Sequence, residues 1–399
     1  MKLITRLSLI LYTIFLSISL AACSDKEQDG PDGSGSQTGK ETRRTVVVYM
    51  VATNNLDYNF GFNWMDITEM IKGSANGNMV DDARWIVYHA PYSEYSPRLI
   101  EVVRGDTVTL KEYAPGESVT LARMNEVLDD VARIAPAKNY GLVLWSHGSG
   151  WVVNGLEEEL PDDPYKAKPL SYGSDNGKKM NIATLRAAIK GRGIDYLYFD
   201  CCNMGTVEVA YELRDAVDYI VGGPAETPGT GMPYDKNMAY LCDGSRESLI
   251  KAAETTFNDY IYSHTCIMSV YDTSGFDRLA AATGAIYDRT PLPHPGETVT
   301  NYYGKTRQGN FLDFGEYVEA LAADAGLDTD EFKAALDGAV IYTIAPQDYF
   351  YSDFCMAALP LYHTSGVATY VFNNETAFTN SGYDTLQWAR DVVSRHLHE

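Results

Sequence analysis

Apolar positions along the chain follow two spacings in turn, short continuous runs and longer stretches with a helical repeat. The short runs predict buried β-strands at residues 44–51, 84–90, 141–145, 194–199, 217–223 and 267–271. The helical stretches predict helices at residues 59–72, 119–135, 181–190, 206–214, 245–262 and 276–288. Residues 99–103 and 107–110 flank an Arg-Gly-Asp turn and predict a hairpin. The alternation predicts an α/β fold, a doubly wound and mostly parallel sheet flanked by helices.

The spacing becomes less regular beyond residue 289. It predicts helices near residues 312–323 and 329–337, strands near 340–345 and 367–372, and a closing helix at 384–396. A polar loop is expected at 152–180, between the strands at 141–145 and 194–199. We therefore divide the chain into a core, residues 43–289, and a C-terminal α/β extension, residues 290–399, that packs on it.

Residues 1–22 have the pattern of an export signal. Lys2 and Arg6 precede an apolar run that is too short to cross a membrane as a helix. The run ends in Leu-Ala-Ala-Cys, which resembles a bacterial lipobox and implies cleavage before Cys23 and lipidation of its thiol. The alternative is an ordinary signal peptide cleaved at a small residue. Residues 23–42 are polar and rich in Gly and Ser, which predicts a flexible tether. The resemblance thus implies an exported protein, lipid-anchored to the outer membrane or surface of a bacterial envelope.

Composition narrows the choice of partners. The formal net charge of −22 argues against nucleic acid as a partner, and it suits a cleft that attracts basic substrates. Five cysteines besides Cys23 leave one thiol over even if disulfides form. Neither C-x-x-C nor H-E-x-x-H occurs, so the sequence gives a zinc site no support.

Two predicted strands end in residues that suit nucleophilic chemistry. The strand at 141–145 is followed by His147 and Gly148, and the strand at 194–199 by Asp200, Cys201 and Cys202. Parallel strands deliver their carboxyl ends to one edge, where open α/β sheets place a ligand crevice. An imidazole near a thiol, with a helix beginning close by, is expected to lower the thiol pKa. The alternatives are that the cysteine is a buried structural residue and that the histidine is a core residue with its hydrogen bonds satisfied.

The blocks L-V-L-W-S-H-G-S-G-W (142–151) and F-D-C-C-N-M-G (199–205) resemble those of the clostripain family of cysteine endopeptidases. V-Y-M-V-A-T-N-N-L (48–56) and P-G-T-G-M-P-Y (228–234) are also similar to family segments. The resemblance implies the caspase-like fold of that wider group. Two departures are Cys201 in place of a small residue and Asn203 in place of Leu. Adjacent strand residues face opposite ways, so only one cysteine meets the cleft, and the family match selects Cys202.

The resemblance also implies roles for matched residues. Cys202 is the nucleophile, His147 the acid and base, and the backbone N–H groups of Gly148 and Cys202 hold the oxyanion. Asp200 lies by the pocket for the residue before the cut and implies a preference for Arg or Lys. The alternative for Asp200 is a cap on the following helix.

Two further expectations rest on the resemblance. Relatives are matured by cutting in the corresponding region, which implies self-cleavage after Lys166 or Lys168. The alternative is an uncut solvent loop. No cofactor is required for the chemistry. Calcium is implied by the resemblance alone, with the acidic run at 157–163 lacking any regular ligand spacing.

Two other functions remain open at this point. One is an inactive relative that binds peptides or glycans as a surface lipoprotein, to which 29 tyrosines and 5 tryptophans would lend aromatic contacts. The other is a thiol hydrolase that acts on a non-peptide ester or amide. A polypeptide substrate is the expectation that the two matched blocks favour.

Overall fold

A nine-stranded mixed sheet organises the part of the chain that the structure, a computed structural model, describes: residues 40–80, 82–92, 96–151, 172–290, 299–302, 311–371 and 382–393. The strands are β1 (Thr42–Ala52), β2 (Ala83–Pro91), β3 (Arg98–Val103), β4 (Asp106–Glu112), β5 (Ala137–Trp145), β6 (Tyr172–Asp175), β7 (Lys178–Met180), β8 (Ile194–Asp200), β9 (Tyr219–Gly222), β10 (Met268–Asp272), β11 (Phe311–Asp313), β12 (Val340–Ile344), β13 (Tyr349–Ser352), β14 (Ala357–Pro360) and β15 (Ala368–Tyr370). The helices are α1 (Asn55–Tyr58), α2 (Phe62–Ala75), α3 (Leu121–Ile134), α4 (Ile182–Ile189), α5 (Val207–Leu213), α6 (Tyr234–Asp243), α7 (Arg246–Asp259), α8 (Phe276–Tyr287), α9 (Phe314–Asp324) and α10 (Asp330–Ala339).

The main sheet has its parallel strands in the middle and antiparallel strands at both edges. Its order is β12-β10-β9-β8-β5-β1-β2-β3-β4, and the five strands from β9 to β2 run parallel. The outer two strands on each side pair antiparallel. Because β12 comes from the extension, the core and the extension share this sheet. The boundary at residue 289 itself stays a prediction.

Both faces of the sheet are buried, as β1 shows. Val47, Tyr49 and Val51 pack in one apolar cluster with residues of α3, α4, α5 and α8. Val46, Val48 and Met50 pack in a second cluster with residues of α2, α6 and α7. A strand covered on both faces must be apolar at nearly every position, which explains the continuous run that identified it. The predicted α/β architecture is confirmed.

Several local predictions were wrong or incomplete. The closing helix at 384–396 is a 3-10 turn at Tyr383–Thr385 and a π-helical segment at Ala389–Val393 in the described residues. Helix α6 was missed although its buried residues Tyr234, Met238, Leu241 and Cys242 follow a helical repeat, and the strands β11, β13 and β14 were missed because they are only three or four residues long. Part of the expected loop at 152–180 is the hairpin β6–β7. Its residue Gly173 donates a backbone hydrogen bond to the His147 carbonyl at 3.0 Å.

Candidate active site

Two neighbouring parallel strands bring the predicted reactive residues to one edge of the sheet. β5 and β8 pair in register, with Trp145 opposite Asp200. The chain leaves both strands directly afterwards, so His147 and Cys202 reach the same carboxyl edge. Both line one cleft of about 740 Å³. Its other walls include parts of the loops after β1 and β9 and the turn of the β13–β14 hairpin: Asn55, Leu56, Glu226, Thr227, Asp353 and Phe354.

The Cys202 thiol is half-buried and hydrogen-bonded to the loop after β9. Its sulfur lies 3.4 Å from the Thr227 amide nitrogen, from which it accepts, and 3.5 Å from the Thr227 carbonyl oxygen. Burial raises the pKa of Cys202 to about 11; the Thr227 N–H opposes this, and the charges of Glu226 and Asp200 add to it. The expected lowering of this pKa was therefore wrong for the free chain, because burial outweighs the Thr227 hydrogen bond.

The two adjacent cysteines differ in exposure. Cys201 is 3% exposed and belongs to an apolar core cluster, whereas Cys202 keeps part of its surface in the cleft. The next residue, Asn203, has a left-handed backbone with φ +58°, a conformation that asparagine tolerates better than leucine. This turn separates Cys202 from α5, which begins only at Val207.

His147 has a fixed partner that the sequence analysis did not identify. Its Nε2 lies 2.7 Å from Oδ1 of Asn55. An amide oxygen only accepts, so Nε2 carries the proton and Nδ1 keeps a lone pair. Burial, with the charge of Lys179 as a smaller cause, lowers the pKa of His147. The imidazole is therefore neutral near pH 7.

Asn54 holds this partner in position. Its side-chain nitrogen donates to the carbonyls of Val51 at 3.0 Å and Ser174 at 2.8 Å. Its oxygen caps α1 by accepting from the Leu56 N–H at 3.0 Å. The loop after β1 is thereby tied to β6, and α1 presents Asn55 to the imidazole. The segment at 48–56, which the sequence analysis matched to the family, contains both asparagines and was a signal for this pair.

Replacing Asn55 with alanine is expected to lower kcat by about 10²-fold, because the imidazole loses the acceptor that sets its tautomer. The exposed Asn59 at the end of α1 supplies the matched control, Asn59→Ala. Steady-state kinetics over a pH series would measure both variants. Equal kcat values for Asn55→Ala and Asn59→Ala would contradict a positioning role for Asn55.

Gly148 lies against the chain that carries Cys202. A Cβ at this position would be 2.4 Å from the Cys202 carbonyl oxygen and 3.2 Å from the Cys201 sulfur. Only glycine lets the two loops approach this closely. The close approach is compatible with the predicted oxyanion site, whose two N–H donors come from Gly148 and Cys202.

Gly148→Ala is expected to push these loops apart and lower kcat by about 10²-fold, the usual loss when one oxyanion donor is displaced. Gly338→Ala in α10 is the matched control, since a Cβ there meets no atom within 4 Å. Single-turnover rates and thermal unfolding curves should be recorded together. An unchanged rate for Gly148→Ala would contradict the proposed donor.

Asp200 lies on the floor of the cleft and is 4% exposed. It accepts from the Met232 N–H at 3.0 Å and the Tyr234 hydroxyl at 2.8 Å. Burial raises the pKa of Asp200 to about 6 against both hydrogen bonds. The alternative helix-cap role was wrong, because Thr206 caps α5 by accepting from the Val209 N–H.

A second buried acid lies near Asp200. Asp66 of α2 is 1% exposed and accepts from the Trp145 indole N–H at 2.6 Å. Burial, and next the charge of Asp200, raise the pKa of Asp66 well above its ordinary value. Neither carboxyl forms an ion pair with any residue in the described ranges. The floor therefore has unused capacity for a positive charge.

Some predicted site residues lie outside the described residues: Cys23, Lys166, Lys168 and the acidic run at 157–163. Within the described ranges, no cluster of three or more His, Cys, Asp or Glu side chains is arranged to hold a metal ion. The calcium expectation stays a prediction. No helix among the described residues is long and apolar enough to cross a membrane.

The model of the clostripain family, Peptidase_C11, matches residues 48–291. A search of curated proteins found no match.

Solved structures from two bacterial species align along most of the chain. An inactive zymogen of a C11 protease from Parabacteroides distasonis is 26% identical, with a TM-score of 0.73 over 88% of this chain and 99% of that one. A secreted C11 cysteine protease from Bacteroides thetaiotaomicron, solved with an irreversible peptide inhibitor, is 24% identical, with a TM-score of 0.72 over 88% and 99%. Another structure of a secreted C11 cysteine protease from Bacteroides thetaiotaomicron, described as iotapain, is 24% identical. Its TM-score is 0.72 over 88% of this chain and 100% of that one.

Proposed function

Because the chain belongs to the clostripain family of cysteine peptidases, we propose that it is an endopeptidase that cuts polypeptides after Arg or Lys. Cys202 acts as the nucleophile and His147 as the acid and base. The observation that carries the proposal is that both residues line one cleft, which thereby contains a neutral imidazole and a half-buried cysteine.

The reaction proceeds in two transfers. Nδ1 of His147 takes the proton of the Cys202 thiol as the sulfur bonds to the peptide carbonyl carbon. The same proton passes to the leaving amine when the C–N bond breaks, which leaves a thioester on Cys202. Water then loses a proton to His147 and attacks the thioester, and the acid product leaves as the thiol regains its proton. Neither step requires a cofactor.

The protonated resting thiol gives His147 a defined task. With the Cys202 pKa raised to about 11, little thiolate exists at pH 7 before the substrate binds. A base is therefore needed in the first transfer. The N–H groups of Gly148 and Cys202 stabilise the negative oxygen that forms as the sulfur attacks.

The preference for a basic residue rests on the floor of the cleft. A guanidinium or ammonium that enters beside Asp200 meets a carboxyl with two hydrogen bonds and no counter-ion among the described residues. Its charge compensates the buried carboxylate.

Fluorogenic peptides ending in Arg, Lys or Asn, incubated with and without a thiol alkylator, test this function. The expected result is release from the Arg and Lys peptides and loss of all release after alkylation. Release that survives alkylation, or release from the Asn peptide alone, would overturn the proposal. Peptide binding without any release would instead favour an inactive binding lipoprotein, and turnover of simple esters alone a non-peptide hydrolase.

Self-processing extends the same proposal. The segment with Lys166 and Lys168 lies between His147 and β6 in the sequence. A cut there would leave each reactive residue attached to the strand that it follows, His147 to β5 and Cys202 to β8. Intact-mass analysis of the full chain should give two fragments, whereas Cys202→Ala should stay whole. Single intact chains in both preparations would contradict self-processing.

Export and lipid anchoring at Cys23 also belong to this proposal. The protein from Bacteroides thetaiotaomicron is described as secreted, and the Leu-Ala-Ala-Cys sequence of this chain supports an anchor. Incorporation of a labelled fatty acid into the wild-type chain and not into Cys23→Ser tests the anchor. Equal labelling of both would contradict it.

A further inference from the structure

We propose that the turn of the C-terminal β13–β14 hairpin forms a substrate subsite, in which Phe354 selects an apolar side chain upstream of the basic residue. This inference rests on the proposed peptidase function and names its substrate more closely. Phe354 is 42% exposed and lines the same cleft as Cys202. A large apolar side chain half in solvent within a cleft suits contact with a ligand.

The hairpin is held at the cleft by Glu226. One carboxylate oxygen accepts from the Ser352 hydroxyl at 2.8 Å, and the other accepts from the Phe354 N–H at 3.2 Å. The Ser352 oxygen in turn accepts from the Cys355 N–H at 2.9 Å. Three consecutive contacts thus fix the backbone that carries Phe354. Glu226 is a positioning residue for this wall.

Glu226 directly precedes the residue that contacts the nucleophile. Thr227 makes both hydrogen bonds to the Cys202 sulfur. The hairpin and the thiol are therefore attached to adjacent residues of one loop. A second attachment lies beyond the cleft, where the Tyr351 N–H donates to the His264 carbonyl at 2.9 Å and the Tyr349 ring stacks on His264 at 4.4 Å.

The direction of the substrate follows from the chemistry. His147 must give its proton to the leaving amine, so the chain after the cut lies on the side of β5 and Asn55. The acyl part, with the residues before the cut, must extend the other way. On the side of β5 away from β1 come β8, which ends at Asp200, and then β9, whose following loop carries Glu226 and the hairpin bonded to it. Phe354 therefore faces residues that precede the basic one.

The chemistry of this wall favours an apolar occupant. Both oxygens of Glu226 are already occupied by the hairpin, and Thr265 and Pro228 contribute short, uncharged surface beside Phe354. Asp353 is the acidic residue at the rim and gives the competing prediction, a second basic side chain. Burying a leucine against an aromatic ring is worth about 10-fold or more in kcat/KM.

A peptide series tests the subsite, with Arg fixed before the cut and Ala, Leu, Phe or Lys at each of the two preceding positions. We expect wild-type kcat/KM for Leu or Phe at one of these positions to exceed that for Ala by about 10-fold. Phe354→Ala should reduce the ratio to about 2-fold or less, because the Leu and Phe peptides lose their contact with the ring. Tyr262→Ala, which removes a tyrosine that is 97% exposed and not among the cleft-lining residues, should keep the full ratio.

Substitutions of Glu226 provide a second test. The ratio of kcat/KM between the Leu or Phe peptide and the Ala peptide cancels any effect on Cys202 that is common to all peptides. Glu226→Ala should lose the preference as Phe354→Ala does, and Glu226→Gln, which keeps one acceptor, should retain more of it. A preference for Lys, or a full ratio in Phe354→Ala, would overturn the subsite.

Binding of the same labelled peptides to Cys202→Ala, followed by fluorescence anisotropy, separates the two proposals. Apolar preference in binding without turnover by the wild type would uphold the subsite and defeat the peptidase. Turnover after Arg with no upstream preference would do the reverse. Neither binding nor turnover would defeat both.

Discussion

Replacing Cys202 with alanine is expected to abolish peptide hydrolysis, with a fall in kcat of about 10⁵-fold or more, as when a catalytic nucleophile is removed from another peptidase. Without the sulfur no thioester forms, and water would have to attack the peptide directly. The fold should survive, because a partly exposed thiol contributes little packing. Progress curves with an Arg peptide would measure the loss, and circular dichroism would verify the fold.

Cys201→Ala is the matched control for this prediction. The Cys201 sulfur is buried in the core cluster, so its removal should cost about 1 kcal/mol of stability through a small cavity. Its kcat should stay within a few-fold of the wild type. Loss of activity in Cys201→Ala with activity retained in Cys202→Ala would reverse the assignment of the nucleophile.

Asp200→Asn is expected to lower kcat/KM for Arg peptides by about 10²–10³-fold, or about 3–4 kcal/mol, because a cation in the cleft would lose its buried counter-charge. A peptide with norleucine in place of Arg has no charge and should lose far less. Comparing the two peptides in both chains separates recognition from catalysis. Equal losses for both peptides would contradict the pocket role.

The pH dependence follows from the raised pKa of Asp200, which lies at about 6. Below this pH the carboxyl is neutral and attracts a cation poorly, so wild-type kcat/KM for Arg peptides should fall as pH drops through 6. For the norleucine peptide, kcat/KM should fall only where His147 becomes protonated. Burial lowers the pKa of His147. In Asp200→Asn the two peptides should give parallel profiles.

The same substitution should stabilise the fold at high pH. A carboxyl whose pKa is higher in the folded state than its ordinary 3.8 favours folding while protonated and opposes it once ionised. The stability gain of Asp200→Asn should therefore be absent near pH 3, grow as pH rises from about 4 to about 6, and stay level above that at about 1–3 kcal/mol. Thermal unfolding at pH 4 and pH 8 would show it.

The sheet and the meeting of two strand ends could be predicted from the sequence because burial on both faces leaves continuous apolar runs. The runs in β1, β5 and β8 gave the strands, and parallel pairing placed His147 and Cys202 at one edge. The caspase-like fold and the cysteine peptidase class, predicted from two short blocks, are confirmed by the family match and by the 26% identical C11 protease structure.

Other parts of the site leave no mark in a residue pattern. Thr227 contacts Cys202 through its backbone, so its side chain carries no signal. Asp66 appears as one polar position in an amphipathic helix, and only the structure shows that it points inward to Trp145. The pKa of Cys202 was misjudged because it depends on burial, which the sequence does not show.

The hairpin wall was missed for a related reason. The hairpin has two strands of four residues each, and only β13 alternates exposed and buried residues, so its pattern is too short to stand out. Its relation to the cleft depends on Glu226, which is 126 residues from Ser352 in the chain. Contacts of such separation are set by the completed fold.

The pairing of the His147 imidazole with the Cys202 sulfur is tested most directly by labelling the protein with a thiol-alkylating peptidyl ketone that carries a basic residue. Peptide mapping then locates the label. We expect the label on the Cys202 sulfur and none on Cys201. Labelling should slow by about 10²-fold in His147→Ala, because the base that activates the thiol is gone. A label on another residue, or an unchanged rate in His147→Ala, would contradict the account.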